Sequence, residues 1–405
     1  MKFTSYQKAV IAILTFLQFT VILDFMILSP LGAALMPALK ISPTQFGLVV
    51  SVYAVSAGIS GFLAAGFADR YDRKKLLLFF YVGFILGTLF CGLAPNFHML
   101  LAARMVTGLF GGVLGAICGA IATDLFEYEL RGRVMGLMQT AFAASQILGI
   151  PAGLYLSNLW GWHAPFLMIV VFGSVAGVLI WMYLKPVDGH LHLQAERSPL
   201  RHLTETVKTP QYLLAYVTMA LLTTGGFMLM PFSSAYTVNN LGISMAQLPI
   251  IYLISGICAI VIGPMIGKAS DNFGKYKVFI VGSLLMMVMV VIYTNLGITP
   301  LPMVILINAI MFLGVFSRMI PAQTLMSAIP SPANRGAFMS VSSSIQSVSG
   351  GIASVIAGLI VVEGANGSIE HFDTLGYIIV GVICVTLSMM YMINKNVAMK
   401  VEAKP

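Results

Sequence analysis

The sequence predicts an all-α, polytopic membrane protein in which twelve transmembrane helices form two pseudo-symmetric six-helix bundles. Three observations support this prediction: an apolar composition, twelve apolar runs of sufficient length, and polar motifs that recur at a nearly constant offset. Of 405 residues, 59% are hydrophobic and 9% are charged, and the mean hydropathy is +0.94. This composition excludes an ordinary soluble globular protein. Uninterrupted apolar runs of about 20 residues indicate helices, because the strands of a membrane barrel would alternate apolar and polar residues.

Polar or turn-rich breaks divide the chain into six apolar runs on each side of a long polar stretch. The first run is longer than the apolar region of a signal peptide and is expected to be retained, although small residues near its end resemble a cleavage site. We therefore expect an N-terminal bundle over residues 1–184, a cytoplasmic linker over 185–210 and a C-terminal bundle over 211–405. The predicted spans lie near 7–29, 45–67, 76–94, 98–124, 134–157, 163–184, 211–237, 245–267, 276–298, 302–327, 336–362 and 374–394.

The basic residues are sorted to one side of the predicted membrane. Of 22 Lys and Arg, Lys40 lies alone on one side, Arg104 and Arg318 lie within spans, and the other nineteen share the side of both termini. The positive-inside rule makes that side cytoplasmic and predicts a multi-pass protein of the inner (plasma) membrane. The net charge of +8 then reflects topology rather than nucleic-acid binding, because no soluble domain is present to offer a basic face.

Two polar motifs of the first half recur in the second half. Ala65-Gly-Phe-Ala-Asp69-Arg-Tyr-Asp-Arg73-Lys-Lys is matched in outline by Gly267-Lys-Ala-Ser-Asp271-Asn-Phe-Gly-Lys275-Tyr-Lys277, with the aspartates 202 residues apart. Arg131-Gly-Arg-Val-Met-Gly136 is matched by Arg335-Gly-Ala-Phe-Met-Ser340 at an offset of 204. Two motifs with nearly equal offsets indicate duplicated six-helix halves.

These motifs resemble those of the major facilitator superfamily, and the resemblance covers nearly the whole chain. The family's loop signature between helices two and three, roughly G-x-x-x-D-R-x-G-R-K, is similar to Ala65–Lys74, with Ala65 and Asp72 in place of its glycines. Arg104-Met-Val-Thr-Gly108 is similar to the start of a fourth-helix pattern. Gly149-Ile-Pro151-Ala-Gly153 looks like a shortened antiporter signature. The resemblance implies a twelve-helix drug:proton antiporter or a related sugar-efflux permease.

Asp24 is the one carboxylate in the middle of an apolar run, and Arg104 is an intramembrane cation in the fourth run. A charge at the bilayer centre costs at least about 2.5–3.5 kcal/mol, so Asp24 is expected to face a cavity or a partner. Desolvation favours its neutral form and would allow proton uptake and release. We therefore predict a proton-coupling role for Asp24 and Arg104. A purely structural pairing or bridging role remains the alternative for each.

The loop signature is expected to act as a gate, because its charges lie at helix ends where pairs can form in one state and break in another. The resemblance implies that Asp69 and Arg73 latch the inner face, with Asp124 as an acidic partner for Arg73, and that Asp271 and Lys275 do the same less strongly. Arg70 is included in the predicted gate. The alternative is that the basic residues of this loop serve only topology.

The candidates for substrate binding share a position inside spans that usually line the central cavity in this family. Each of them can instead face lipid or another helix. Arg318 would contact an anionic group of the substrate or, alternatively, cap backbone carbonyls. The candidates are Tyr53, Phe142, Gln146, Phe227, Tyr236, Asn308, Arg318 and Gln346.

The leading functional hypothesis is a proton-coupled secondary transporter that exports small amphipathic, drug-like compounds or sugars by alternating access, acting as a monomer. Uptake by symport or facilitated diffusion is the second transport hypothesis, and a membrane receptor or scaffold is the non-transport alternative. An enzyme, a metal site and a cofactor are not expected. The four cysteines lie singly in apolar runs, the six histidines lie in predicted loops or the linker, and no nucleotide-binding Gly-rich lysine loop is present.

Overall fold

A computed structural model describes residues 3–64, 68–189, 191, 206–207, 209–330 and 335–402 of the chain. Within these ranges, twelve helices are long and apolar enough to cross a membrane. The predicted all-α architecture and the number of spans are thereby confirmed. The one β-hairpin among the described residues joins β1 (Val362–Glu363) to β2 (Ile369–Glu370) in antiparallel register.

The spans are numbered in chain order. Span 5 is Tyr128–Ala144, continued by a π-helical turn at Ser145–Gly149 and by Ile150–Trp160. Spans 1 to 4 and 6 are Ser5–Ile27, Pro43–Ala64, Arg73–Gly92, Phe97–Leu125 and Ala164–Tyr183. Spans 7 to 12 are Pro210–Asn239, Leu248–Phe273, Lys275–Thr294, Leu301–Ser327, Arg335–Ile360 and Phe372–Glu402.

A short helix, Gly32–Leu39, follows span 1, and 3-10 turns lie at Ala68–Arg70 and Met245–Gln247. Because successive spans alternate in direction, the start of span 1, the end of span 6, the start of span 7 and the end of span 12 lie at one end of the molecule, called the linker end. The β-hairpin lies at the opposite end, called the hairpin end.

Local sequence signals set where several spans begin and end. Thr4 and Gln7 form a reciprocal capping box at the start of span 1, and the Asn96 side chain accepts a hydrogen bond from the Met99 amide at the start of span 4. Gly274 joins spans 8 and 9 with a φ of 95°, a left-handed conformation that favours glycine. These signals place the helix ends in polar regions and leave the apolar segments between them to span the membrane.

The buried apolar residues form one core shared by both halves and two cores that each belong to one half. The shared core includes Leu23 and Phe46 from the first half and Phe232 and Ile379 from the second. A second core lies entirely in the first half, from Val10 to Leu184. The third is built from buried residues 212–393 of the second half. The halves are therefore joined most continuously where the shared core lies.

Spans 2 and 11 form a long direct contact between the halves, made possible by glycines. A Cβ atom on Gly58 would lie 2.9 Å from the Ser344 carbonyl oxygen, and one on Gly358 would lie 2.9 Å from the Pro43 carbonyl oxygen. Three hydrogen bonds also join the halves: the Thr44 hydroxyl donates to the Gly358 carbonyl at 2.6 Å, the Ser234 hydroxyl donates to the Ser29 carbonyl at 2.8 Å, and the Asn158 amide donates to the Met245 carbonyl at 3.2 Å. These hydrogen bonds lie toward the hairpin end, where the halves are in direct contact.

Within the first half, span 4 approaches span 2 just as closely. A Cβ atom on Gly112 would lie 2.5 Å from the Ala57 Cα, and one on Gly108 would lie 3.0 Å from the Tyr53 Cα. Small residues permit this approach because no side chain separates the two backbones. The contact fixes the depth at which Arg104, one turn before Gly108, faces span 2.

We predict that Gly112→Ala destabilises the protein by about 1–3 kcal/mol, because the added methyl group overpacks the contact with span 2. The matched control is Gly381→Ala in span 12, where an added Cβ meets no atom within 4 Å. Thermal unfolding in detergent would measure the difference between the two variants. Equal melting temperatures would contradict the close packing of spans 2 and 4.

Candidate functional site

Asp24 and Arg104 form a buried ion pair between spans 1 and 4. The Arg104 Nη1 lies 2.8 Å from Asp24 Oδ2, and the same nitrogen lies 3.4 Å from the Asp24 carbonyl oxygen. The two side chains are only 1% and 0% exposed. The two intramembrane charges predicted to act together are thus in direct contact and are closed to solvent in this structure.

Spans 2 and 3 complete the surroundings of the pair. The Thr88 hydroxyl of span 3 donates to Asp24 Oδ1 at 3.1 Å, so both carboxylate oxygens accept a hydrogen bond. The Tyr53 ring of span 2 lies under the guanidinium, with 4.2 Å from Arg104 Cζ to the ring centroid. A cation above an aromatic face gains additional stabilisation when both are desolvated. Four spans of the first half therefore converge on one charged pair.

The pair is a site where one proton has a large electrostatic effect. A buried pair survives because its members neutralise each other, and removing one charge leaves the other uncompensated. Arg104 keeps its charge under all ordinary conditions, so protonation of Asp24 is the change that the pair can undergo. The Arg104 Nε has no hydrogen-bond partner among the described residues. The positive charge of Arg104 is therefore neutralised by Asp24 through the contact of Nη1 with Oδ2.

Aromatic side chains connect this site to the second half. The Phe25 ring, next to Asp24 in the chain, lies 5.5 Å from the Tyr53 ring and 5.8 Å from the Phe227 ring of span 7, measured between centroids. The Ser354 hydroxyl of span 11 donates to the Phe227 carbonyl at 3.2 Å. A movement at Asp24 thus has a direct path of packed groups to spans 7 and 11.

The other predicted substrate-binding residues are dispersed. Gln146 is buried in the π-helical turn of span 5, where its Cβ faces Gly256 of span 8, and Phe142, one turn earlier, is 40% exposed. The amides of Asn308 and Gln346 donate to carbonyls of their own helices, at Val304 and Ser342. Tyr53 and Phe227 are the two candidates that Phe25 brings together.

Tyr236 and Arg318 contact other residues of the second half. The Tyr236 hydroxyl donates to the Leu296 carbonyl at 2.7 Å, and its ring stacks on Phe372 near the hairpin end. Arg318 donates to the Thr386 hydroxyl of span 12 at 3.1 Å. For both residues, the binding of substrate stays a prediction that these contacts do not support.

The predicted gate residues of the first half lie at the linker end. The Arg73 Nε lies 3.2 Å from Asp124 Oδ2, and its Nη1 donates to the Ala68 carbonyl at 3.1 Å. Arg70 is exposed, and the Asp69 side chain lies outside the described part of the structure. In the second half, Lys275 and Asp271 form a partly exposed pair at 3.5 Å across the junction of spans 8 and 9 at Gly274. The two ion pairs each lie within one half, and their role in gating stays a prediction.

An apolar groove of about 570 Å³, open on one side, lies between spans 1 and 5, toward the linker end. It is bounded by small and apolar side chains, with Lys8 as its one charged residue. None of the predicted substrate-binding residues lines it, although Ala141 and Ala144 of the lining lie within two residues of Phe142 in the chain. The lining residues are Phe3, Lys8, Ile11, Ala12, Thr15, Phe16, Phe19, Leu137, Thr140, Ala141, Ala144 and Leu148.

The sequence analysis did not identify Thr88 and Phe25. Thr88 is one of many hydroxyl residues in apolar runs, and its pairing with a residue 64 positions away depends on how span 3 packs. Phe25 is adjacent to Asp24 and carries no distinctive pattern among 25 phenylalanines. Neither residue gives a local signal that a single sequence can reveal.

Twelve apolar helices in two related halves, with a buried ion pair between spans, define a multi-pass membrane transport protein rather than an enzyme. The sequence profile of the Major Facilitator Superfamily matches residues 14–354 and 215–404. The chain belongs to the major facilitator superfamily.

Relatives in bacteria support this assignment. The MFS-type transporter YceJ of Bacillus subtilis (strain 168), whose function is uncharacterized, is 29% identical over 65% of this chain and 67% of its own length. The multidrug resistance protein MdtG of Klebsiella pneumoniae (strain 342) is 26% identical over 64% of this chain and 63% of its own length. The alignment with MdtG thus spans less than two thirds of that relative.

Solved structures have the same fold. A bacterial homologue of the human lysosomal transporter Spinster, in an inward-facing and occupied conformation, superposes with a TM-score of 0.79. The superposition covers 97% of this chain and 98% of the homologue, at 16% sequence identity. At this identity the likeness concerns the fold alone.

We predict that Asp24→Asn and Arg104→Gln each destabilise the protein by about 3–5 kcal/mol. Each substitution removes one member of the buried ion pair and leaves the charge of the other uncompensated. The double variant should be less destabilised than the sum of the two, since it leaves no unpaired charge. Thermal unfolding of the four proteins in detergent measures this coupling.

The control for this cycle is Asp271→Asn, which breaks an ion pair whose carboxylate is 75% exposed. Exposed pairs contribute about 0–1 kcal/mol, so this variant should unfold close to the wild type. Additive effects of the Asp24 and Arg104 substitutions would show that the two side chains do not depend on each other.

Proposed function

We propose that the protein is a proton-coupled efflux antiporter for small amphipathic, drug-like compounds or sugars, working by alternating access. The observation that carries the proposal is the sealed Asp24–Arg104 pair, with its hydroxyl and aromatic partners from two further spans. A buried carboxylate whose counter-charge is one arginine has two protonation states, and the free energy of the packed helices differs strongly between them, because protonation leaves the arginine charge uncompensated. Such a group can link proton binding to helix movement.

The coupling step follows from the geometry of the pair. Protonation of Asp24 removes the negative charge that Arg104 Nη1 contacts at 2.8 Å, and the guanidinium must then find water or another partner. This requirement favours a conformation in which the site is hydrated. Return of the carboxylate to its ionised form favours the closed pair seen here. One proton moving down 100 mV supplies about 2.3 kcal/mol for this cycle.

The sealed state prevents proton leakage. Neither side chain of the pair exceeds 1% exposure, so a proton reaches Asp24 only after spans of the first half separate from each other or from the second half. Phe25 and Tyr53 lie between the pair and Phe227, so separation of the halves at this point would expose the site. Proton exchange and substrate exchange would then occur in the same conformational change.

The two ends of the molecule suit alternating access. At the hairpin end the halves share hydrogen bonds and an apolar core, whereas toward the linker end each half has its own core. We place both termini and the linker in the cytoplasm, as the distribution of Lys and Arg favours, in the plasma membrane. The Arg73–Asp124 pair would then help to hold the cytoplasmic face, and the present conformation would be closed to the outside.

The apolar groove between spans 1 and 5 favours an amphipathic substrate in this proposal. Its lining offers methyl groups and aromatic rings, and Lys8 lies at its linker end. Apolar walls with few polar groups are typical of small-molecule sites. The MdtG relative is a multidrug resistance protein, and we extend that activity to this chain as part of the proposal. We propose that the transporter acts as a monomer.

We predict that Asp24→Asn abolishes the dependence of transport on a pH gradient and lowers gradient-driven flux at least about tenfold, because a neutral amide cannot carry the proton. Proteoliposomes loaded with a dye, an antibiotic or a sugar, with and without an imposed gradient, measure the flux. Asp373→Asn, at the hairpin end of span 12, is the matched control and should retain the wild-type dependence. Full gradient dependence in Asp24→Asn would refute the coupling role. Movement of substrate with the proton would indicate symport.

We predict that a disulfide between Thr44→Cys and Gly358→Cys arrests transport by locking the hairpin end. A Cβ atom on Gly358 would lie 3.1 Å from the Thr44 Cα, close enough for the two Cβ atoms to reach disulfide distance, and 2.9 Å from the Pro43 carbonyl oxygen, so the Gly358→Cys single variant must first show that it keeps its flux. The four native cysteines are first replaced, and each single variant serves as a control. Oxidation should stop flux in the double variant alone, and a reductant should restore it. Wild-type flux by the cross-linked protein would show that this end does not open.

A further inference from the structure

Arg318 carries a buried positive charge in the second half of the molecule. It lies in span 10, nine residues before the helix ends at Ser327, or about 14 Å along the helix. The residue is 7% exposed. Its Nη2 donates to the Thr386 hydroxyl at 3.1 Å, and its Cζ lies 5.8 Å from the centre of the Phe279 ring. Neither neighbour carries a negative charge.

The sequence of the second half offers no carboxylate for this arginine. Asp271 lies in the last turn of span 8 and pairs with Lys275, and Glu402 is the last residue of span 12. Asp373 lies in the first turn of span 12, thirteen residues or about 20 Å from Thr386. Glu363 and Glu370 lie in the β-hairpin. No ion pair joins Arg318 to a carboxylate of the described residues, so an anion from outside the chain would supply the counter-charge it lacks.

Two unsatisfied donors mark the place where that counter-charge would lie. The Nε of Arg318 and the hydroxyl of Ser283 are buried and have no hydrogen-bond partner among the described residues. Ser283 lies one turn from Phe279 on the same face of span 9, and the adjacent Gly282 packs directly against Ser317. Both orphaned groups thus belong to the same contact between spans 9 and 10. Buried donors without partners in a native structure indicate a water or an ion.

We propose that a small inorganic anion, of the size of chloride, binds between Arg318 and Ser283 inside the C-terminal bundle. A halide accepts hydrogen bonds from a guanidinium and a hydroxyl at once, and it neutralises the charge that the chain leaves uncompensated. Phe279, Ser283 and Thr386 are each 0% exposed, so a group held among them is shielded from bulk solvent, which favours a single small ion over an organic molecule. The anion would act as a structural counter-ion that holds spans 9, 10 and 12 together.

Stability of the purified full-length protein tests this site without any transport assay. Melting temperature is measured in detergent against bromide, with gluconate added to keep the ionic strength constant. A ligand that binds the folded state raises the melting temperature as its concentration exceeds the dissociation constant. We expect bromide to stabilise the wild type. Ser283→Ala should raise the apparent dissociation constant about tenfold, as expected for loss of one hydrogen bond to an ion.

Two further variants make the test specific. Arg318→Met should remove the bromide-dependent part of the stability. Ser157→Ala removes another buried, unpaired hydroxyl, in span 5, and should keep the wild-type response. In crystals grown in bromide, the anomalous peak should lie between Arg318 and Ser283.

The proposal is overturned if bromide and gluconate give equal melting temperatures, or if Ser283→Ala and Arg318→Met respond like the wild type. An anomalous peak at another position, or water alone at this one, overturns it as well.

Discussion

The ion pair between Asp24 and Arg104 is the interaction on which the organisation of the first half depends. Each charge alone would be costly inside the membrane, so spans 1 and 4 must stay in register to within hydrogen-bonding distance. That register requires the glycine contact of span 4 with span 2, which also sets Tyr53 beneath the guanidinium. The hydrogen bond from Thr88 brings span 3 to the same point. The same residues thus neutralise the buried charges and fix the packing of spans 1 to 4.

The two halves share an architecture but neutralise their buried charges differently. In the first half the arginine has a carboxylate partner within the bundle, whereas Arg318 in the second half has a hydroxyl and an aromatic ring. The repeated motifs at offsets of 202 and 204 residues would place the counterpart of Arg104 near residue 307, where the chain has Ile307. Arg318 is therefore not the copy of Arg104. The duplication preserved the scaffold while the charged residues inside it diverged.

Much of this arrangement could be predicted from the sequence, and the remainder could not for physical reasons. The apolar runs and the repeated loop motifs predict the spans, because the bilayer allows few other structures. Because charge is rare inside the membrane and must be compensated there, the sequence alone identifies Asp24 and Arg104 as candidate residues of the site. Thr88, Phe25 and the π-helical turn at Ser145–Gly149 carry no comparable signal, since their importance arises from helix rotation and packing. For the same reason, the sequence placed Tyr236 and Arg318 in spans without revealing which neighbours they face.

The distribution of apolar cores explains how a stable membrane protein can still move. If one continuous core joined the halves along their whole length, separating them at either end would cost the burial of many side chains. Here the shared core is confined largely to one region, and the contact between spans 2 and 11 is made by glycine and serine backbones. Such contacts lose little apolar burial when they slide, whereas the separate cores keep each bundle intact. The Asp24–Arg104 pair lies within one bundle and touches the other through Phe25 and Phe227, which pack against the shared core, so a change in its charge acts at a contact that must loosen before the halves separate there.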